Sequence, residues 1–236
     1  MQPTHSADTY TNRQSEPVSG FTGNLSPATM QSLRPMLRPS SYDSHIVLYS
    51  ERDPATSVIV VLEGEVKLSI NSADGRRLIH RIARKGDILG IASALSGCTH
   101  EMTAETLYPC KLAFIPRNEF MNFLLHHPEA LKLAAEELSR QYAMACEQLR
   151  NVALSASVPE KLARLLLDWS EGGQTTDCGT RFRFSLTHEE IGEFIGASRE
   201  TVTRTLSTFK HRRLVTCQGA TLTIPNRTAL ATYAHC

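Results

Sequence analysis

Charged side chains cluster on one predicted helix near the C-terminus. Arg199 and Thr203 are four residues apart, as are Glu200 and Arg204, so a helix brings all four to one side. From Gly196 to the C-terminus, six Lys and Arg residues stand against one Glu, a local charge of 6 − 1 = +5. A positive field of this kind attracts a phosphate-bearing partner.

The residues around this cluster predict two helices joined by a tight turn. Thr187 is a good N-cap, and Glu190 completes a capping box. Gly196 ends the first helix because glycine accepts a left-handed C-cap, and Ser198 caps the second. The predicted buried faces comprise Ile191, Phe194 and Ile195 in the first helix and Val202, Leu206 and Phe209 in the second. This pattern is typical of a helix-turn-helix, whose second helix enters the major groove of DNA.

Composition narrows the class of protein. The 236 residues suit one large or two modest domains, and the net charge is only +1. No apolar run approaches the ~18 residues of a membrane span, and the N-terminus has no signal-peptide core, so we expect a cytoplasmic protein. The six cysteines are widely spread without a Cys-x-x-Cys pair, which argues against a zinc site. No catalytic constellation stands out, so we do not expect an enzyme.

Residues 46–116 change to short β segments separated by turn signals. Asp74-Gly75 predicts a hairpin turn. This rhythm favours a small antiparallel β-roll or barrel. The predicted strands are His45–Tyr49, Ser57–Leu62, Glu65–Asn71, Arg77–Ile82, Met102–Thr106 and Cys110–Ile115.

A long helix is predicted from Pro128 to residue 155. Apolar residues recur every seven positions, which indicates a two-helix coiled coil and therefore a homodimer. The alternative is an amphipathic helix packed on its own β-roll. The predicted seam comprises Leu131, Leu138, Ala145 and Val152, with Ala134, Tyr142 and Leu149 between them.

The chain therefore divides into four predicted segments. Residues 1–25 are polar and read as a disordered tail. A β-roll sensor domain follows over 26–127, then the dimerisation helix over 128–155. Residues 156–236 form a winged helix-turn-helix. The expected fold class is α+β: an N-terminal antiparallel β-roll (a double-stranded β-helix, jelly-roll-like), a long helix and a C-terminal winged helix.

The order of these segments, with the motif E-E-I-G-E-F-I-G-A-S-R-E-T-V-T-R, resembles the CRP/FNR family of bacterial transcription regulators. The resemblance runs from about residue 41 to residue 224. It implies a homodimer that binds a palindromic, TGTGA-like DNA site and contacts RNA polymerase.

The resemblance also implies roles for individual residues. The base-reading positions of the family fall on Arg199, Glu200 and Arg204. Arginine donates two hydrogen bonds to guanine, and a carboxylate accepts one from cytosine. The residues that match phosphate-contacting or positioning sites are Thr187, Ser198, Thr201 and Thr203.

The effector pocket departs from the family pattern. Cyclic-nucleotide-binding members place a Gly-Glu pair and an Arg-Ser/Thr pair where this chain has Gly90-Ile91 and His100-Glu101. Their adenine-contacting Thr-Ser pair falls on Ala145-Cys146. An isoleucine cannot accept the ribose hydrogen bond, and a glutamate repels the phosphate. We therefore expect that classical cAMP binding is lost. No cofactor is expected, and the β-roll holds either a different, unidentified effector or nothing.

Other sensors of the family fit no better. The first 97 residues contain no cysteine, which excludes an N-terminal iron–sulfur cluster. His80, His100 and Cys98 are the haem-ligand candidates in the β-roll. Cys98 and Cys146 are candidate redox thiols. Two alternatives stay open: a cyclic-nucleotide-responsive regulator with atypical contacts, and a cupin-like metal enzyme, although the histidines lack the clustered spacing of a cupin.

Overall fold

The computed structural model describes residues 20–153, 157–184 and 186–234, and the side chains of 150–153 lie outside that description. Predictions for residues 1–19, for the domain boundary at 155–156 and for the side chain of Val152 therefore fall outside the described residues. The N-terminal elements are α1 (Pro27–Leu33), β1 (Pro39–Tyr42), β2 (Val47–Tyr49), β3 (Ser57–Glu63), β4 (Val66–Asn71), β5 (Arg77–Ala83), β6 (Ile88–Leu89), α2 (Ile91–Ser96), β7 (Thr103–Thr106) and β8 (Cys110–Pro116).

The eight strands form two antiparallel sheets, in the orders β1-β8-β3-β6 and β2-β7-β4-β5. The apolar run at the start of β3 is buried on both faces. Ile59 and Val61 pack between the sheets, whereas Val58 and Val60 pack under the helices. A strand covered on both sides has a continuous apolar sequence instead of an alternating one. This arrangement confirms the predicted β-roll.

The predicted tail is wrong at its C-terminal end. Residues 20–25 belong to the core, where Phe21 is buried and packs edge-on against Phe120. Thr22 donates to the Gly86 carbonyl from both its backbone N–H, at 3.0 Å, and its side-chain hydroxyl, at 3.1 Å. The prediction relied on the polar composition of this segment and overlooked the aromatic side chain of Phe21, which anchors it.

Helices and a third sheet make up the remainder. The elements are α3 (Arg117–His126), α4 (Pro128–Ala153), α5 (Val158–Trp169), β9 (Gln174–Thr176), β10 (Gly179–Arg183), α6 (His188–Ile195), α7 (Arg199–His211), β11 (Thr216–Gln218), β12 (Thr221–Ile224) and α8 (Arg227–Ala234). The third sheet is antiparallel, in the order β11-β12-β10-β9. It packs with α5 to α8 around one core, and this is the winged helix-turn-helix.

One face of α4 packs on its own β-roll. Ala130 and Ala134 are fully buried in the core beneath α1 and α3. The prediction that Ala134 lies on an intermolecular seam is therefore wrong, because this chain alone covers it. A neighbouring side of the helix stays open: Leu131 is 45 % exposed, Tyr142 74 % and Leu149 66 %.

Candidate nucleic-acid interface

The helix-turn-helix forms as its capping residues predict. The Thr187 hydroxyl accepts from the Glu190 N–H at 3.2 Å, and the Glu190 carboxylate accepts from the Thr187 N–H at 3.0 Å. Gly196 ends α6 with φ 64° and ψ 45°. The Ser198 hydroxyl then accepts from the Thr201 N–H at 3.3 Å, which caps α7.

Close contact between α6 and the turn requires a glycine at position 192. A Cβ added to Gly192 would lie 2.5 Å from the Ala197 carbonyl oxygen. That oxygen belongs to the backbone and cannot move aside without shifting the turn. Gly192 therefore sets how closely the start of α7 approaches α6.

The N-terminal half of α7 separates a buried side from an exposed side. Val202, Leu206 and Phe209 are buried in the core of the winged helix. The exposed side chains are Arg199, Glu200, Thr203 and Arg204. The structure therefore brings together, on one open surface, the three residues predicted to read bases.

Hydrogen bonds hold several side chains on the exposed side of α7. The Arg204 guanidinium donates to the Thr201 hydroxyl at 3.4 Å, and the Thr203 hydroxyl donates to the Arg199 carbonyl at 2.9 Å. Hydrogen bonds from its own backbone N–H and from Ser198 lower the pKa of Glu200. Its carboxylate is therefore ionised at neutral pH and acts only as an acceptor.

His188 was missed by the sequence analysis. Its Nδ1 lies 2.8 Å from the Thr203 hydroxyl and links the start of α6 to α7. Burial lowers the pKa of His188, and Lys210 and Arg199 lower it further. A neutral imidazole beside Thr203 therefore orients this hydroxyl without adding charge. Its position next to the N-cap was the only signal in the sequence.

The predicted effector pocket is filled by the chain's own side chains. The His100 imidazole stacks on Tyr49 with ring centroids 3.7 Å apart, and its Cε1 lies 2.9 Å from the place where a Gly90 Cβ would be. Ile91 is buried and begins α2. The Glu101 carboxylate accepts from the Ser93 hydroxyl at 2.8 Å. The structure thus brings the four β-roll residues of the predicted pocket to one place.

The charged groups of this pocket have partners within the chain. Burial lowers the pKa of His100, so its ring is neutral at pH 7, and Glu101 adds a carboxylate beside it. The buried Arg81 is held by Asp87 at 3.1 Å and by Glu137 at 3.9 Å. The Arg81 guanidinium is therefore already paired with two carboxylates of its own chain.

The remaining candidate residues do not come together at one site. Ala145 and Cys146 are half-buried on α4, and Cys98 is an exposed free thiol. The His80 Nδ1 lies 2.7 Å from the Gln148 side chain, so it has a hydrogen-bonding role. Across the described part of the chain, no three His, Cys, Asp or Glu side chains are placed to hold a metal ion. Nor does any helix there have the length and apolar character to cross a bilayer.

Two family models match this chain. A Crp-like helix-turn-helix domain matches residues 160–233, and a cyclic nucleotide-binding domain matches residues 39–127. The chain belongs to the CRP/FNR family. This membership confirms the expected family, and the observed architecture confirms the fold class.

Individual CRP/FNR proteins resemble this chain over most of its length. A CRP-like cAMP-activated global transcriptional regulator from Mycobacterium tuberculosis is 25 % identical over 218 residues, which cover 92 % of this chain and 97 % of the relative. The transcriptional activatory protein AadR from Rhodopseudomonas palustris is 26 % identical over 194 residues, or 82 % of this chain and 80 % of the relative.

Solved structures share the fold. FixK2 from Bradyrhizobium japonicum superposes with a TM-score of 0.75 at 21 % identity, covering 84 % of this chain and 96 % of that protein. This likeness concerns the fold. The two family models and the relatives identify the chain as a transcription regulator of the CRP/FNR type, with a cyclic-nucleotide-binding-like domain and a DNA-binding winged helix.

Proposed function

We propose that this regulator acts as a homodimer in the cytoplasm and binds a palindromic, TGTGA-like DNA site. The observation that carries the proposal is the exposed group of Arg199, Glu200 and Arg204 at the capped start of α7. A recognition helix presents its N-terminal residues to base edges in this way. Ionised Glu200 suits cytosine N4, and the arginines suit guanine O6 and N7.

Hydroxyl groups around α7 support a separate, positioning role. Thr187 and Ser198 stand at the N-termini of α6 and α7, where free backbone N–H groups and the helix dipole favour a phosphate. The Thr201 hydroxyl accepts from the Arg204 guanidinium, and the Thr203 hydroxyl donates to the backbone carbonyl of Arg199. We assign these four residues to DNA positioning, which contributes affinity without sequence preference.

Dimerisation through 128–155 follows from the open side of α4. Leu131, Tyr142 and Leu149 are large side chains left exposed in one chain. A second copy would cover them and place two recognition helices about 34 Å apart, one per half-site. We further propose the predicted division into a tail, a β-roll sensor, a dimerisation helix and a winged helix, and contact with RNA polymerase when bound at a promoter.

We also propose that the β-roll does not bind cAMP in the usual way. Ile91 offers no acceptor for a ribose hydroxyl, neutral His100 stacks on Tyr49, and Glu101 brings negative charge. A phosphate entering this pocket would meet a carboxylate instead of a guanidinium.

The test is a titration of full-length protein against a fluorescent palindromic duplex at moderate salt, without a nucleotide. The expected result is saturable binding that is roughly 10³-fold tighter than to a scrambled duplex, as specific regulators show. Analytical ultracentrifugation of the same protein should give a dimer. Equal affinity for both duplexes would refute sequence-specific reading.

A second candidate function is regulation by a cyclic nucleotide through atypical contacts. The Mycobacterium tuberculosis relative is described as cAMP-activated and resembles this chain over 92 % of its length. Calorimetric titration with cAMP and with cyclic di-GMP distinguishes the two candidates. A saturable heat with either nucleotide favours the second, and its absence favours the first.

A further inference from the structure

A buried lysine links the β-roll to the helix-turn-helix. Lys67 lies on β4 and only 3 % of its surface is exposed. Its Nζ is 3.5 Å from Glu105 Oε1 on the neighbouring strand β7 and 3.4 Å from Glu190 Oε1 on α6. Because a charge without a partner is costly to bury, this lysine must keep both carboxylates beside it.

The Glu190 carboxylate has two partners in two domains. Its Oε2 accepts from the Thr187 N–H and the Thr187 hydroxyl, both at 3.0 Å, which is the capping box of α6. Its Oε1 accepts from Lys67. The Glu190 side chain therefore both caps α6 and contacts Lys67 of the β-roll.

Acidic groups outnumber basic groups around this contact. Glu105 accepts from Arg77 at 3.2 Å and lies 3.4 Å from the His45 imidazole. Glu193 on α6 has a buried oxygen without a hydrogen-bond partner among the described residues. Without Lys67, the carboxylates of Glu105 and Glu190 would face each other, so Lys67 is the cation that lets these two side chains meet at the interface.

Two further contacts cross the same interface. The Arg84 guanidinium of the β-roll lies over the Trp169 ring, 5.2 Å from its centroid. The Arg183 guanidinium of the winged helix lies over the Tyr108 ring at 4.9 Å. While these contacts are made, the base-reading residues of α7 stay exposed. The docked arrangement therefore orients the winged helix and leaves its recognition surface open.

We propose that Lys67 is a positioning residue for DNA reading, which rests on the proposed dimeric function. The Lys67–Glu190 contact fixes the angle of each winged helix on its β-roll. In a dimer, that angle sets the distance between the two recognition helices. A dimer with a fixed distance binds one half-site spacing tightly and other spacings weakly. The reason is that the second half-site is bound at high effective concentration only when the spacing matches.

The experiment measures affinity for a series of palindromes whose half-sites are separated by the best spacer and by one and two base pairs more or fewer. Full-length wild type is compared with Lys67→Met, which keeps a long apolar side chain and removes the charge. The matched control is Lys85→Met, the same substitution at an exposed lysine of the β-roll. Both variants lose one positive charge, so a general electrostatic effect appears equally in both.

The expected result is that Lys67→Met binds the best spacer at least tenfold more weakly, an order-of-magnitude expectation from the loss of effective concentration. The affinity should also become nearly independent of spacer length. Lys85→Met should keep the wild-type spacing profile. Glu190→Gln should behave like Lys67→Met, because glutamine still completes the capping box but carries no charge for Lys67. This second variant separates loss of the contact from loss of folding.

Several outcomes overturn the proposal. A wild-type spacing profile in folded Lys67→Met and Glu190→Gln would show that the contact does not position α7. Tighter binding by both variants would show that it restrains the domain from reaching DNA. If the wild-type protein binds no palindrome at all, the proposed function fails and this inference fails with it. If the wild-type protein selects one spacing and the two variants select it equally well, the inference alone is overturned.

Discussion

The two halves of the molecule each place a helix start at a predicted site, α2 at the effector pocket and α7 at the DNA-reading surface, and the two starts differ. The start of α7 has the Ser198 cap, two arginines nearby and full exposure. The start of α2 has Gly90 without a side-chain cap, a buried Ile91 and the neutral His100 packed against it. One end is open to solvent, and the other is closed by side chains of the same chain. A helix N-terminus becomes a phosphate site only when its surroundings supply space and positive charge.

The largest expected effect comes from dissociating the proposed dimer, because each subunit carries one exposed start of α7. Leu149→Glu places two carboxylates opposite each other on the proposed seam, so the dimer should dissociate. Loss of the linked second half-site should weaken binding to the palindrome by roughly 10²–10⁴-fold. Sedimentation gives the oligomeric state and anisotropy gives the affinity. A dimer that still binds as wild type would show that α4 is not the interface.

Arg204→Ala tests whether the open end reads bases. Loss of one bidentate contact should reduce discrimination against a changed base by about 1–3 kcal/mol per half-site. The matched control is Lys210→Ala, which removes an exposed charge at the other end of α7. The control should weaken all duplexes alike. Equal losses on matched and mismatched duplexes with Arg204→Ala would sink its base-reading role.

Ser198→Ala tests the cap that distinguishes the start of α7 from the start of α2. The hydroxyl satisfies the Thr201 N–H, so its loss should lower the free energy of unfolding by about 1 kcal/mol. Urea denaturation measures this change. Ser207→Ala is the control, since its exposed hydroxyl bonds only within the helix, to the Thr203 carbonyl. Comparable losses in both variants would contradict a specific capping role.

The smallest effect concerns the closed end. Burial lowers the pKa of His100, so the folded ring should titrate below its ordinary value of 6.5 in an NMR experiment. The unfolded chain then binds a proton more readily than the native one. Stability is therefore fully present above pH 6.5 and falls as pH drops from there toward the folded pKa. A His100 pKa above 6.5 would mean that the pocket favours a cation and could accept an anion.

Local signals in the sequence predicted the parts that local chemistry determines. The caps at Thr187, Gly196 and Ser198 and the apolar run in β3 depend on neighbours in the chain, and the structure has all of them. Five elements of the described chain were missed, among them the two-residue strand β6. They are short or have weak patterns: β1, β6, α2, β9 and α8. The pairing of β1 with β8, for example, joins residues about seventy positions apart.

The features that control the site depend on contacts between distant segments. The sequence showed that the effector pocket lacks a cation, but it did not show that His100 would stack on Tyr49. The sequence analysis did not single out Lys67, whose burial involves Glu105 on β7 and Glu190 on α6, both distant in the chain. Phe21 was assigned to a tail because its partner Phe120 lies far along the chain.

The close approach at Gly192 has a consequence for how this regulator can be reprogrammed. The turn is fixed by a backbone contact between Gly192 and Ala197, while Arg199, Glu200 and Arg204 touch no part of the core. On the proposed base-reading role, substitutions at these three surface positions should change target preference with little effect on folding. In a saturation library, functional variants should carry many different residues at those positions and should bind altered DNA sites. At position 192, functional variants should carry almost only the parental glycine.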